Sequence, residues 1–257
     1  MNVLAVCAGA CGIELGLRLA SEVCGFETRT VCYVEREAFA AANLVAKIEA
    51  GLLDDAPIWS ELAIFRGGRW RGRVDCITAG IPCQPYSTAG KKRGDEDERA
   101  IWPEFVRVIS DVKPALAFLE EVPEFVGDGY FLPVATALSG MGYKVEEPLS
   151  IGAFDLEAPH IRIRAFILAH TSGFRLAQPK LQEASCRTGH DEAAAQPLLL
   201  DTWPPGPGEV ASIPRVADGM ADRVDRLRLS GNGVVPVVAA YAFITLAREA
   251  GVLKGGI

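Results

Sequence analysis

The sequence predicts an α/β protein built on a parallel sheet with helical crossovers. Three observations carry this. Short apolar runs alternate with amphipathic stretches as far as His170. Several of those runs close on small or acidic residues, where open α/β sheets place their ligands. The composition, 49% hydrophobic and 23% charged over 257 residues, is enough for a sizeable core.

The elements follow in order. VLAVCAG is a short apolar strand ending in small residues, with a helical pattern from Ile13 to about Cys24 after it. RTVCYVE is a second strand closed by Glu35, and EAFAAANLVAKI is an amphipathic helix. VDCITAG is a third strand. WPEFVRVISDV is a helix stopped at Lys113-Pro114, and ALAFLEEV is the next strand. Phe131 to Met141 is helical, with Gly140 and Gly142 at its end, and RAFILAH is a further strand. From Thr171 to Ala211 periodicity is lost, and Pro, Gly and polar residues dominate, as in DTWPPGPGE. That is too long for an ordinary loop and predicts a small irregular lobe or an insertion. VVPVVAAYAFITLAREAG reads as a terminal helix ended by Gly251. The N-terminal run has no basic region before it and no apolar run is long enough to span a bilayer, so a buried first strand is expected there.

Seven cysteines at irregular spacing argue against a disulfide framework and for a reducing, cytoplasmic setting. The net charge of −7 counts against a nucleic-acid partner. The charge is uneven, however. Arg66, Arg69, Arg71 and Arg73 form one basic cluster, Lys91, Lys92 and Arg93 a second, and Arg215, Arg223, Arg226 and Arg228 a third. Each taken alone reads as a solvated face.

Four stretches carry candidate chemistry. In AGACGIELG the small residues Ala8, Gly9 and Gly12 open a helix, so a ligand can approach the backbone and the helix amides. Glu14 and Glu35 add carboxylates. Glu35 reads either as a surface carboxylate or as a partner for ribose hydroxyls. Cys7 and Cys11 read as small core or pocket residues. In TAGIPCQPYSTAG, prolines flank Cys83-Gln84 and fix the local backbone, and the polar, glycine-punctuated YSTAGKKRGDEDER follows as a lid would. Cys83 is therefore either a buried structural thiol or a positioned nucleophile. Glu120 and Glu121 close an apolar strand, as an exposed turn or with one of them desolvated and protonated. HIRIRAF places His160, Arg162 and Arg164 on one side of an edge or cleft strand, with Ile161 and Ile163 on the other. Cys186 and His190 lack a matching second pair, so no metal is expected.

In this order the stretches closely resemble the motifs of the DNA (cytosine-5) methyltransferases. VCAGACGIELG resembles that family's first motif, VDCITAGIPCQPYS its Pro-Cys-Gln motif, FLEEV its Glu-Asn-Val, HIRIRAF its Gln-x-Arg-x-Arg, and LSGNGVVP its last motif. The resemblance implies a Rossmann-like S-adenosylmethionine-dependent methyltransferase fold. A catalytic domain over residues 1–170 and 231–257 would carry a target-recognition region at 171–230, as in compact phage-borne or orphan members. It implies Cys83 as nucleophile, Glu120 at cytosine N3, and Arg162 and Arg164 holding the base or ordering the lid. It implies a cofactor site of Cys7, Ala8, Gly9, Cys11, Gly12, Glu35, Ile58, Glu61, Gly80, Asn232 and Val234. DNA contacts would come from Gln84, Ser87, Arg99, Arg215, Arg223, Arg226 and Arg228, with the basic clusters lining one cleft. The implied partner is double-stranded DNA, bound by a monomer without membrane or metal.

The chain departs from the pattern at Cys7 (usually aromatic), Cys11 (glycine), Glu61 (aspartate), Glu121 (asparagine) and His160 (glutamine). A tRNA cytosine-5 methyltransferase of the same architecture is the nearest rival reading, and Glu121 suggests a second, a catalytically inactive nucleic-acid-binding homologue. A cysteine hydrolase built on Cys83 would need His160 as its base.

Overall fold

The computed structural model describes residues 1–81, 101–158, 161–177 and 233–254. Within them β1 (Asn2–Val6), β2 (Arg29–Val34), β3 (Ile58–Trp59), β4 (Cys76–Gly80) and β5 (Leu116–Glu121) are mutually parallel. β6 (Tyr143–Val145), β7 (Leu149–Gly152) and β8 (Ile163–Thr171) complete an eight-stranded sheet of order β3-β2-β1-β4-β5-β8-β6, with β7 also paired to β8.

The sheet is mixed, not parallel throughout. β8 runs antiparallel to β5 on one side and to β6 and β7 on the other. The physical reason lies in the connections. A parallel return needs a crossover helix between its strands. Only a short linker joins β6 to β7, so they lie end to end along the far side of β8. HIRIRAF is accordingly not an edge. β8 begins at Ile163, and Arg162 precedes it.

The helices α1 (Gly12–Cys24), α2 (Ala38–Glu49), α3 (Trp102–Val112), α4 (Pro123–Gly127), α5 (Phe131–Gly140) and α6 (Pro236–Glu249) cover both faces. Their ends follow the local chemistry. α1 stops where Gly25 turns left-handed at φ 69° and donates its N–H to the Ser21 carbonyl. α3 stops at Lys113, φ 52°, ahead of Pro114, and α6 starts with Pro236 in its first turn.

Alternation along β1 divides the core. Val3 faces α1 and α6 with Leu17, Phe118, Phe166 and Phe243, whereas Leu4 and Val6 face α3 and α5 with Ile77, Phe105, Leu119 and Ile167. Phe118 stacks on Phe166 at 5.7 Å and meets Phe243 edge-on at 5.2 Å, which ties the C-terminal helix to the sheet centre. Leu176 is buried in the same cluster, and its N–H donates to the Val252 carbonyl.

The chain winds outward from β1 through β2 to β3, then returns to the other side of β1 as β4. The crevice at this reversal, beyond the strands' carboxyl ends, is where such sheets bind ligands. β1, β2, β4 and β5 end there at Val6, Val34, Gly80 and Glu121.

Candidate active site

The turn after β1 is wound tightly. Cys7, Gly9 and Cys11 all hold positive φ, at 50°, 51° and 61°. Glycine takes this conformation freely, but for each cysteine it costs about 1–2 kcal/mol. The surroundings hold the turn in place. Gly9 N donates to Glu35 Oε2 at 2.8 Å, Ala8 N to the Val34 carbonyl, and Lys47 Nζ to the Ala10 carbonyl at 2.8 Å. The other Glu35 oxygen accepts from Glu37 N at 2.8 Å. An ionised carboxylate has about four acceptor positions, so Glu35 keeps capacity for two further donors.

Gly12 serves a different purpose from an open ligand approach. A Cβ there would lie 2.1 Å from the Val234 carbonyl oxygen. The missing side chain admits the backbone that leads into α6. Val234, paired with Gly12 in the implied cofactor set, therefore sits directly on the first turn of α1.

Cys7 and Cys11 are both weakly acidic. Burial, reinforced by Glu35, Glu61 and Glu121 against the opposing pull of Arg36, pushes the Cys7 thiol up to about 12. Burial and then Glu14 keep Cys11 protonated. The influence of three carboxylates on Cys7 places Glu35, Glu61 and Glu121 around the end of β1. Ile58 is half-buried beside Tyr33, and the Glu61 carboxylate caps a 3₁₀ turn by accepting from Ala63 N at 3.2 Å.

Glu14, a residue without an implied role, lies below this turn. It is buried, and its Oε1 accepts the Thr78 hydroxyl at 2.6 Å. Burial raises its carboxyl above the usual range, with the Thr78 bond opposing. It links the first turn of α1 to β4. The acidic residue two positions past Gly12 was visible in the sequence, but only the fold puts Thr78 beneath it.

Glu120 and Glu121 do not form an exposed turn. They are 3% and 0% exposed. Glu120 lies opposite Gly80 across the β4–β5 ladder, and its Oε2 is 3.5 Å from where a Gly80 Cβ would stand. Arg164 Nε is 2.7 Å from Glu120 Oε1, an ion pair whose N–H does not align as a hydrogen bond. Desolvation raises the Glu120 carboxyl, and Arg164 and then Arg162 act against it. The Glu121 carboxylate turns back to accept from Val122 N at 3.0 Å.

The arginines of HIRIRAF point inward and the isoleucines outward. Ile161 and Ile163 are 81% and 47% exposed, whereas Arg162 donates to the Gly233 carbonyl and Arg164 reaches Glu120. The fold thus brings together Cys7, Gly9, Glu35, Glu61, Gly80, Glu120, Arg162, Arg164 and Val234 at one end of the sheet. Cys83, Gln84, Ser87, Lys91, Lys92, Arg93, Arg99, His160, Arg215, Arg223, Arg226, Arg228 and Asn232 lie outside the described residues.

Of the three basic clusters only the first, Arg66 to Arg73, falls within the described residues, and it lies away from this site. Arg73 lies beside the first residue of β1, since Asn2 Nδ2 donates to its carbonyl, and Arg71 caps the end of α3. That is the sheet's amino end, opposite the site.

The family model for C-5 cytosine-specific DNA methylases matches residues 1–218. The chain belongs to this family. The type II methyltransferase M.NgoMIV of Neisseria gonorrhoeae is 28% identical over 193 residues, covering 70% of this chain and 56% of that protein. M.NaeI of Lentzea aerocolonigenes is 31% identical over 179 residues, covering 68% of this chain and 41% of its own length. The chain thus spans about half the length of these relatives. Two solved structures share its fold. The Entamoeba histolytica methyltransferase EhMeth superimposes with a TM-score of 0.53 at 18% identity, covering 70% of this chain and 57% of that one. A Spodoptera frugiperda DNMT2 variant gives 0.53 at 16% identity, covering 70% and 53%. The chain is Rossmann-like and, among its described residues, has no helix long and apolar enough to cross a membrane.

Proposed function

We propose that this methylase transfers a methyl group from S-adenosylmethionine to C5 of a cytosine extruded from double-stranded DNA. The observation that carries the reading is the Glu120 carboxyl, buried at the end of β5 opposite Gly80 and biased toward its protonated form. Two residues beyond Ile81 the chain reaches Cys83. An extended chain advances at most about 3.6 Å per residue, so that sulfur is tethered to the same end of the sheet.

The residues fit a nucleoside cofactor. Around Gly9, nothing among the described residues but the Cys7 carbonyl comes within 4 Å of a Cβ position, so none of them closes the turn to a ligand. Glu35 has spare acceptor capacity for ribose hydroxyls, and Ile58 and Glu61 stand at the neighbouring strand end for the base. When bound, the cofactor supplies an electrophilic methyl group.

The chain's own residues make cytosine reactive. The Cys83 thiolate forms a bond to C6 while Glu120 delivers a proton to N3, and the ring electrons shift to C5 as an enamine. Arg164 holds the Glu120 carboxyl in place, and its fixed positive charge offsets the carboxylate left when the proton departs. After methylation a base removes the C5 proton, the sulfur–C6 bond breaks, and N3 returns its proton to Glu120. A stacked base cannot be reached in this way, so the cytosine must be flipped out, at a cost of a few kcal/mol. Residues 171–230 are the proposed target-recognition region. Gln84, Ser87 and Arg99, with Arg215, Arg223, Arg226 and Arg228, are the proposed DNA contacts.

The test combines labelled S-adenosylmethionine with mixed-sequence DNA and with tRNA, followed by sequencing for 5-methylcytosine. Label in DNA, a covalent adduct with 5-fluorocytosine DNA, and loss of both in Cys83→Ser are expected. Label confined to tRNA would reassign the substrate. Full activity in Cys83→Ser would overturn the nucleophile. Glu120→Gln should slow transfer by about 10²–10⁴-fold, the usual worth of a positioned proton donor.

A further inference from the structure

We propose that Arg66, Arg69 and Arg73, presented by the segment RGGRWRGR, form a second nucleic-acid docking face at the sheet's amino end. It would bind duplex phosphates without reading sequence. Only the nature of the polyanion rests on the methyltransferase reading.

The segment is a fixed frame. The backbone at Gly67 is pressed onto α3, since a Cβ there would lie 2.8 Å from Asp111 Cβ and 3.0 Å from Val112 Cγ2. The Trp70 ring stacks on Phe65 at 6.1 Å with planes 19° apart, so it anchors the turn inward and is not offered to bases. Arg71 belongs to the frame as well, donating to the Asp111 and Ser110 carbonyls at 2.9 and 3.4 Å.

What remains outward is positive. Arg66, Arg69 and Arg73 are exposed, with no carboxylate partner among the described residues. Residues 62–74 include no acid. Two acids beside the segment are already engaged. Asp111 pairs with Arg107 at 3.1 Å, and Asp75 accepts from Asn2 N at 2.7 Å. At Gly68 and Gly72 a Cβ would meet nothing within 4 Å among the described residues, so the backbone at these two positions is uncovered by them. Guanidinium forks match phosphate oxygens, and a bare backbone lets the phosphate come close. In a chain of net charge −7 this face is a local reversal of sign.

Its place separates it from catalysis. β4 has five residues at about 3.3 Å each, so roughly 15 Å of sheet divides Arg73 from the Gly80–Glu120 end. A duplex held here is a different stretch of DNA from the one presenting its base.

The test measures binding of a labelled mixed-sequence duplex over a range of salt concentrations, without cofactor. The triple variant Arg66→Ala/Arg69→Ala/Arg73→Ala is compared with the parent and with the triple Arg→Lys variant. Each phosphate that is no longer neutralised lowers the log–log salt slope by about one. The alanine variant should therefore show a slope smaller by about two to three, the lysine variant should keep the parent's slope, and both should unfold at the parent's temperature. An unchanged slope in the alanine variant overturns the proposal. Equal displacement of duplex by polyglutamate of matched charge also overturns it, because the face would then suit acidic proteins. No methyl transfer enters this measurement. An inactive protein with a reduced slope would sink the catalytic reading alone, and an active one with an unchanged slope the docking face alone.

Discussion

Glu14 is a carboxyl sealed beneath the turn after β1, where the Thr78 hydroxyl, the Cys11 thiol and its own helix start are at hand. Burial raises it, so the folded chain holds a proton over a pH interval in which the unfolded chain has released it. Stability therefore falls as pH rises through that interval, and the fall is complete above the folded-state value. Glu14→Gln keeps an acceptor for Thr78 and removes the buried charge. Its melting temperature should match the parent's near pH 4 and exceed it increasingly toward pH 8. Parallel curves at every pH would show that Glu14 is not the source. The residue's type and position could be read from the sequence, but its burial could not, because the burying atoms come from β4. The same holds for Glu120 and Glu121. Two acids after an apolar run fit an exposed turn equally well, until β8 closes over β5 and brings Arg164 to Glu120.

At the scale of elements, the packing of α1 on α6 decides how the C-terminal segment attaches. Gly12 and Gly16 are one helical turn apart and face the same neighbour. A Cβ on Gly16 would lie 2.7 Å from both Ala239 Cβ and the Pro236 carbonyl oxygen. Gly12→Ala drives a methyl group into backbone, which cannot rotate away. It should destabilise the chain by about 3 kcal/mol, at the upper end for overpacking, read from thermal unfolding. A change below experimental error would mean that Val234 moves freely. Most strands and helices were legible from periodicity, capping glycines and prolines. The strands β3, β6 and β7 were not, having two, three and four residues. Such lengths leave no period to detect, and long-range pairing creates them. The inward side of HIRIRAF was not legible for a related reason. Alternation shows that the arginines share a side, whereas the interior partners Glu120 and Gly233 determine which side is inward.

Across the whole molecule, the fold is held by a core that draws on distant parts of the chain. Phe26, Phe118, Phe166 and Phe243 come from the end of α1, from β5, from β8 and from α6, and Phe243 touches both Phe26 and Phe118. Phe243→Ala should cost about 3–5 kcal/mol, a large share of the stability of a domain this size. A change under about 1 kcal/mol would mean that α6 is not integral to the core. The same arrangement sets the first basic cluster apart from the site. Sequence neighbours Arg66 to Arg73 end up far from Glu120 because the chain from β3 to β4 must run back down the sheet to start a parallel strand.

The amino-acid sequence alone determined the α/β class, the family and the order of its motifs, because each motif is a short run whose chemistry is complete within a few residues. The tertiary structure decided which acids are buried, that β8 lies inside a mixed sheet, that Gly12 receives a backbone carbonyl, and that Arg73 stands at the sheet's amino end. Those properties depend on atoms brought from elsewhere in the chain, and no local pattern carries that information.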